Sequence, residues 1–140
     1  MRFKMKVLSK LVVSSPVLLL LSGCQTLSNI QPDYVYTPNS LSPEVFITLS
    51  QDLPHHSDDG LSSAEFILDM SLILITRKAG PEMRFFNTQS ARQRAFDDFC
   101  NGDSDISKFT RDNGIGIKYH YIDAQKDFYY GPWNSDACIK

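Results

Sequence analysis

Three cysteines, three histidines and two adjacent aspartate pairs carry most of the chemical capacity of this 140-residue chain. His55 and His56 stand beside Asp58 and Asp59, a set with the donor atoms a divalent metal would take. Consecutive residues rarely converge on one ion, and no second His or Cys at ligand spacing accompanies them. The stretch HHSDDG therefore reads as a solvated loop. Asp97 and Asp98 are also neighbours, and sequence neighbours do not naturally flank one substrate bond as general acid and base. His120 falls in an alternating segment, on the set opposite its apolar side chains, and reads as an exposed strand histidine. A nucleophile elbow, a phosphate loop, a His-x-x-x-His pair and a Cys-x-x-Cys are all absent. The expectation is a protein that is not an enzyme, with no metal and no cofactor.

Cys24 is the exception, because its surroundings are chemically specific. Arg2, Lys4, Lys6 and Lys10 form a basic opening with no acid to offset it. Leu11 to Leu21 (LVVSSPVLLLL) is an apolar run of 11 residues, well short of the roughly 20 needed to span a bilayer but suited to an export signal. Leu21-Ser22-Gly23-Cys24 then resembles a lipobox. The small Gly23 lets a signal peptidase reach the peptide bond, and the Cys24 thiol is the nucleophile that accepts a diacylglyceryl group. Residues 1–23 are thus expected to be a lipoprotein signal peptide and Cys24 the lipidated residue. Position 25 is Gln rather than the Asp that retains lipoproteins at the inner membrane, which favours the outer membrane of a Gram-negative cell, with the domain on the periplasmic face. Several acyl chains on one residue anchor firmly, since each buried CH₂ contributes about 0.8 kcal/mol.

Cleavage also changes the charge. All 16 acids follow residue 23 whereas four of the 14 bases precede it, so the net charge moves from −2 to −6. A mildly acidic domain of this kind is a poor nucleic-acid binder, a role that rewards clustered Lys and Arg. With Cys24 assigned to lipid, Cys100 and Cys138 remain as a single pair in an oxidising compartment, and a structural disulfide is the expectation. A loop of about 39 residues closed in this way is stabilised by at most roughly 4 kcal/mol in the chain-entropy view.

The elements that must position these residues follow from patterning. Residues 24–41 hold Pro32, Pro38 and scattered Ser and Asn, and read as the lipidated Cys and a tether; as a flexible coil, 25–41 would span about 23 Å. Tyr34 and Tyr36 are the residues that would instead pack on the domain as a short extended strand. The domain is expected over 42–140. Ser42-Pro43-Glu44 starts a helix with a capping hydroxyl, Pro at the first position and an acid near the positive end of the dipole. Val45, Phe46, Leu49 and Leu53 share one face, and Pro54 ends the helix. In 61–76 (LSSAEFILDMSLILIT), Ser62-x-x-Glu65 resembles a capping box, but apolar residues on both alternating sets favour a buried strand. Residues 88–100 predict a helix with Ala91, Ala95, Phe96, Phe99 and Cys100 in a stripe, and a shorter helix follows over 103–112, with Gly114 as its stop. Ile115, Ile117, Tyr119 and Tyr121 alternate as a strand. Phe128-Tyr129-Tyr130 starts a returning strand that Gly131-Pro132 breaks, leaving Trp133 near its end. This order predicts an α+β fold: a small antiparallel-rich β-sheet flanked by α-helices, with one disulfide.

With these elements laid out, 43–140 resembles the pilotin lipoproteins of the AspS type, which serve the outer-membrane secretin of type II secretion. The resemblance lies in the order and spacing of several pieces. A first helix runs into Ser50-Gln51-Asp52-Leu53-Pro54, similar to the family's Ser-Gln-x-Leu-Pro. An apolar strand closes on Ala79-Gly80, a helix ends in Cys100, Gly114-Ile115 opens a strand that ends at Ile122-Asp123, and Cys138 precedes Ile139. Between Gly60 and Ser71, where the family has a first strand and a tight turn, this chain has no obvious Gly or Asn turn. The resemblance implies a small sheet flanked by helices with one disulfide, and a partner: the C-terminal segment of the secretin subunit, carried to the outer membrane where the multimer assembles. A helix-in-groove contact would hold that segment, and copies around a ring would add avidity. The groove residues are not legible; Phe85, Phe86, Tyr129 and Trp133 are candidates, each with core packing as its competing role. The rival reading is an envelope lipoprotein serving as a periplasmic inhibitor, an immunity protein or a structural factor.

Overall fold

A computed structural model describes residues 30, 31 and 33–138. The expected signal segment, 1–23, and Cys24 lie outside the described residues. Helix α1 is Pro43–Asp52, and the Ser42 side chain accepts from the Val45 N–H at its start. Leu53 leaves the helix in extended conformation ahead of Pro54. A two-residue strand β1, His55–His56, follows and pairs with Ala64 and Ser63. The two histidines expected in a loop are therefore the sheet's short outer edge.

The stretch expected as one strand is two. Strand β2, Ser62–Ile67, and strand β3, Leu72–Lys78, pair antiparallel from Ser62↔Arg77 to Ile67↔Leu72. A 3-10 turn at Leu68–Met70 joins them, and Ser71 closes it at φ 47°, its N–H donating to the Leu68 carbonyl. Left-handed backbone is ordinarily given to Gly or Asn. With Ser in that place, the apolar run reads through the turn without a break.

Helix α2, Gln89–Asn101, is capped by Thr88, and helix α3, Asp105–Asp112, by Ser104. Strand β4, Gly116–Ile122, then lies parallel to β3, with Leu72 opposite Gly116 and Lys78 opposite Ile122. Strand β5, Asp127–Trp133, returns antiparallel. Gly131-Pro132 does not break it. The strand runs on to Trp133, which meets Ile117 across a register irregularity, with Gly131 at φ 86°. Proline is accommodated because β5 is an edge strand. The sheet order is β1-β2-β3-β4-β5, mixed and mostly antiparallel, in an α+β fold.

Because paired residues share a face, Phe66, Ile73, Ile75, Ile117, Tyr119 and Tyr130 all project to one side. All three helices pack there. Phe96 and Phe99 of α2 meet Ile117, Tyr119, Tyr130 and Trp133, while Leu49 of α1 meets Ile73 and Ile115 with Phe109 of α3 beside them. Cys100 and Cys138 form the expected disulfide, joining the last turn of α2 to a 3-10 turn at Ser135–Cys138. The Arg111 guanidinium ties α3 to the same place by donating to the carbonyls of Phe99 and Gly102.

The segment read as a tether lies on the domain from Tyr34 onward, as its tyrosines allowed. The Tyr34 hydroxyl donates to Asn134 Oδ1 at 3.1 Å and accepts from its N–H at 3.2 Å. The Tyr36 hydroxyl donates to the Met70 carbonyl at 2.7 Å, and the Asn39 amide to that of Gly114 at 2.9 Å. Ile30 and Tyr34 also pack against the main core. These residues form a strap across the end of the sheet where β3 and β4 begin.

Candidate functional site

The four aromatics expected as candidates separate cleanly. Trp133 is 1 % exposed and packs on Phe96, ring centres 5.2 Å apart, so it belongs to the core. Phe85 is half-buried, edge-on to Tyr121 at 5.0 Å. Phe86 is 72 % exposed. Tyr129 is exposed on the face without helices, stacked on His120 at 4.1 Å with Lys118 Nζ 4.5 Å from its ring centre.

The titratable residues are dispersed. His120 Nε2 meets Asp127 Oδ2 at 3.2 Å on that same open face. The Asp59 carboxylate accepts from Ser57 Oγ and the Leu61 N–H, and these bonds hold its pKa below the ordinary carboxylate value. Asp59 thus organises the turn between β1 and β2. Asp97 accepts from Gln93, one turn back along α2. Asp98 lines a cleft of about 400 Å³ with Arg77, Tyr119 and Tyr121. Burial, and then the neighbouring Tyr121, push the Tyr119 phenol up to about 12. Among the described residues, no three His, Cys, Asp or Glu side chains gather closely enough to hold a metal ion. No described helix is long and apolar enough to cross a membrane.

An open groove lies where patterning placed only core. α1 and β2 enclose a groove of about 470 Å³, with Phe46, Leu49, Leu53 and Pro54 on one wall and Phe66 and Leu68 on the other. Phe46 meets Phe66 edge-on at 6.2 Å yet stays 40 % exposed, and Leu68 is 63 % exposed. The geometry has a simple origin. β1 is two residues long and reaches no further along β2 than Ala64, so no strand lies beside Phe66 on the side away from β3. α1 therefore anchors on Ile73 through Leu49 and Val45, while Phe46 overhangs the edge. One signal in the sequence pointed here: α1 has more apolar residues than one buried face can hold, and Ile47, adjacent to Phe46, is 53 % exposed. Such a surface can bind an apolar peptide face; it has no constellation for bond-making chemistry.

No protein-family profile matches this chain, and neither a curated protein nor a solved structure is significantly similar to it.

Proposed function

We propose that the chain is a pilotin: an outer-membrane lipoprotein, lipidated at Cys24, that binds the C-terminal segment of the type II secretion secretin and directs its targeting and assembly. The observation that carries this reading is the β2–β3 hairpin. The resemblance requires a first strand and tight turn between Gly60 and Ser71, where patterning favoured one continuous strand; the fold has the hairpin, with its turn at Leu68–Ser71. The α1–β2 groove supplies a place for the partner. It is open, with apolar walls and Ser50, His56 and Glu65 beside them, and is of the size that takes two or three anchoring side chains spaced along one helix face.

The direct test is a titration of the Gln25–Lys140 chain with the secretin C-terminal segment at low and high salt. Binding through an apolar groove changes little with salt, because screening acts on exposed charges. Leu68→Glu, at an already exposed position, should weaken binding tenfold or more, equivalent to about 1.4 kcal/mol, and leave the circular dichroism spectrum unchanged. In cells, deletion of the gene should lose secretin multimers or strand them in the inner membrane. Normal outer-membrane multimers, with no second pilotin gene present, would overturn the proposal and favour the envelope-lipoprotein reading.

A further inference from the structure

The cations of this acidic domain are unevenly placed. Between Lys78 and Asp97 the only acid is Glu82, while Arg84, Arg92 and Arg94 are all exposed there. Two large apolar side chains are exposed beside them, Phe86 at 72 % and Met83 at 57 %. Tyr130 shows that these residues form one patch. Its hydroxyl donates to the Phe86 carbonyl at 2.8 Å. Burial raises the pKa of that hydroxyl, and the Thr88 backbone and the charges of Arg92 and Arg94 partly offset the rise. Arg84, Phe86, Arg94 and Tyr130 line one small cleft. The two ion pairs among the described residues, Lys108–Asp103 and His120–Asp127, involve none of the three arginines.

We propose that this patch docks the domain on a phospholipid surface, with Arg84, Arg92 and Arg94 on anionic headgroups and Phe86 and Met83 at the boundary with the acyl chains. Interfacial surfaces combine these two features, apolar insertion and basic attraction. The path of the chain brings the patch to the membrane. Arg92 shares a cleft with Ile30, Gln31 and Tyr34, so the strap reaches the domain beside it. Cys24 is six residues before Ile30, which limits the anchor to about 21 Å from that point. This second argument rests on the reading of Cys24 as the lipidated residue; the patch itself does not. With the anchor so close, the domain would lie with α2 toward the bilayer and the α1–β2 groove at the opposite edge of the sheet, facing away.

The test places a bimane probe on Phe86→Cys, or on Ile47→Cys as a control, in the full lipidated protein. The protein is reconstituted in vesicles of phosphatidylethanolamine and phosphatidylglycerol. The expected result is at least threefold protection of the probe at 86 from aqueous iodide, and none at 47. Protection should vanish in a variant carrying Arg84→Gln, Arg92→Gln and Arg94→Gln. A second arm cosediments the unlipidated Gln25–Lys140 chain with the same vesicles at low salt, where each arginine removed should weaken binding by roughly fivefold. Equal accessibility at 86 and 47, equal protection in pure phosphatidylcholine, or cosedimentation indifferent to the arginines would overturn the proposal. The first of these would reassign the patch to an acidic protein partner. Neither arm contains secretin, so failure of the pilotin reading leaves both results standing, and the second arm stands even if Cys24 carries no lipid.

Discussion

Tyr36 occupies the space that a side chain at position 116 would need. A Cβ on Gly116 would lie 2.2 Å from the Tyr36 hydroxyl, so the glycine is required by close approach. Gly116→Ala should cost about 1–3 kcal/mol, as overpacking does. Tyr36→Phe keeps the ring but loses the bond to the Met70 carbonyl, and should cost about 1 kcal/mol; thermal melts of the two variants would separate these effects. The tyrosines also set an alkaline limit. Burial pushes Tyr36 and Tyr119 up to about 12, and raises Tyr34, Tyr121 and Tyr130 in the same direction. Unfolded phenols ionise near 10. Above that pH the unfolded chain releases protons that the folded chain keeps, so stability is whole below about pH 10 and falls as pH rises toward about 12. Tyrosinate absorbance and circular dichroism should therefore change together in that window. Ionisation of these five phenols near pH 10 with the fold intact would contradict it.

At the scale of elements, the turn at Ser71 is the most informative. Its φ of 47° suits Gly or Asn better than Ser. Ser71→Gly should be neutral or slightly stabilising, while Ser71→Val should cost about 1–2 kcal/mol, since a β-branched side chain fits left-handed backbone poorly. The same residue explains why the hairpin was not legible. A left-handed turn position is read most readily from Gly or Asn; here Asp69 and Ser71 alternate with Leu68, Met70 and Leu72, so the turn keeps the period of two of a strand. Capped helices and the alternating Ile115–Tyr121 strand were legible because a hydroxyl at an N-cap and a period of two have direct physical causes. β5 was cut short because Pro132 breaks a central strand but not an edge strand. The disulfide was legible by cysteine count. Reducing it, or Cys138→Ser, should lower the melting temperature by roughly 10 °C, given about 2–4 kcal/mol for such a loop. An unchanged melt would show that the Ser135–Cys138 turn is held to the end of α2 without the bridge.

For the whole molecule, the strap moves the boundary of the folded unit. A chain starting at Leu41 would lack Tyr34, Tyr36 and Asn39 with their bonds to Asn134, Met70 and Gly114. It should be less stable than one starting at Gln25 by several kcal/mol, as burial of two aromatic rings and hydrogen bonds of about 1 kcal/mol each imply; urea unfolding of the two chains measures this. The strap was weakly legible because prolines and serines mark loops whether or not the loop is packed, and only the tyrosines argued otherwise. The candidate groove was less legible still. Phe46 shares the stripe of Val45, Leu49 and Leu53, and its exposure depends on how short β1 is, a property of the sheet edge rather than of the helix.

The parallel seam between β3 and β4 has a consequence in time. Leu72 must meet Gly116 across the two helices that separate them, whereas β2–β3 and β4–β5 are hairpins of near neighbours. Closing that long loop costs entropy before any seam contact compensates it, so the two hairpins should form early and their union should set the folding rate. Ile73→Val and Ile117→Val, at facing positions of the seam, should then slow folding more than they speed unfolding, and loss of the strap tyrosines should do the reverse. The interval before the seam closes is one in which the open edges of β3 and β4 are available to other chains. A chain with this topology would depend on chaperones during that interval, and its steady-state level in cells should fall more steeply with seam variants than their equilibrium stability alone implies.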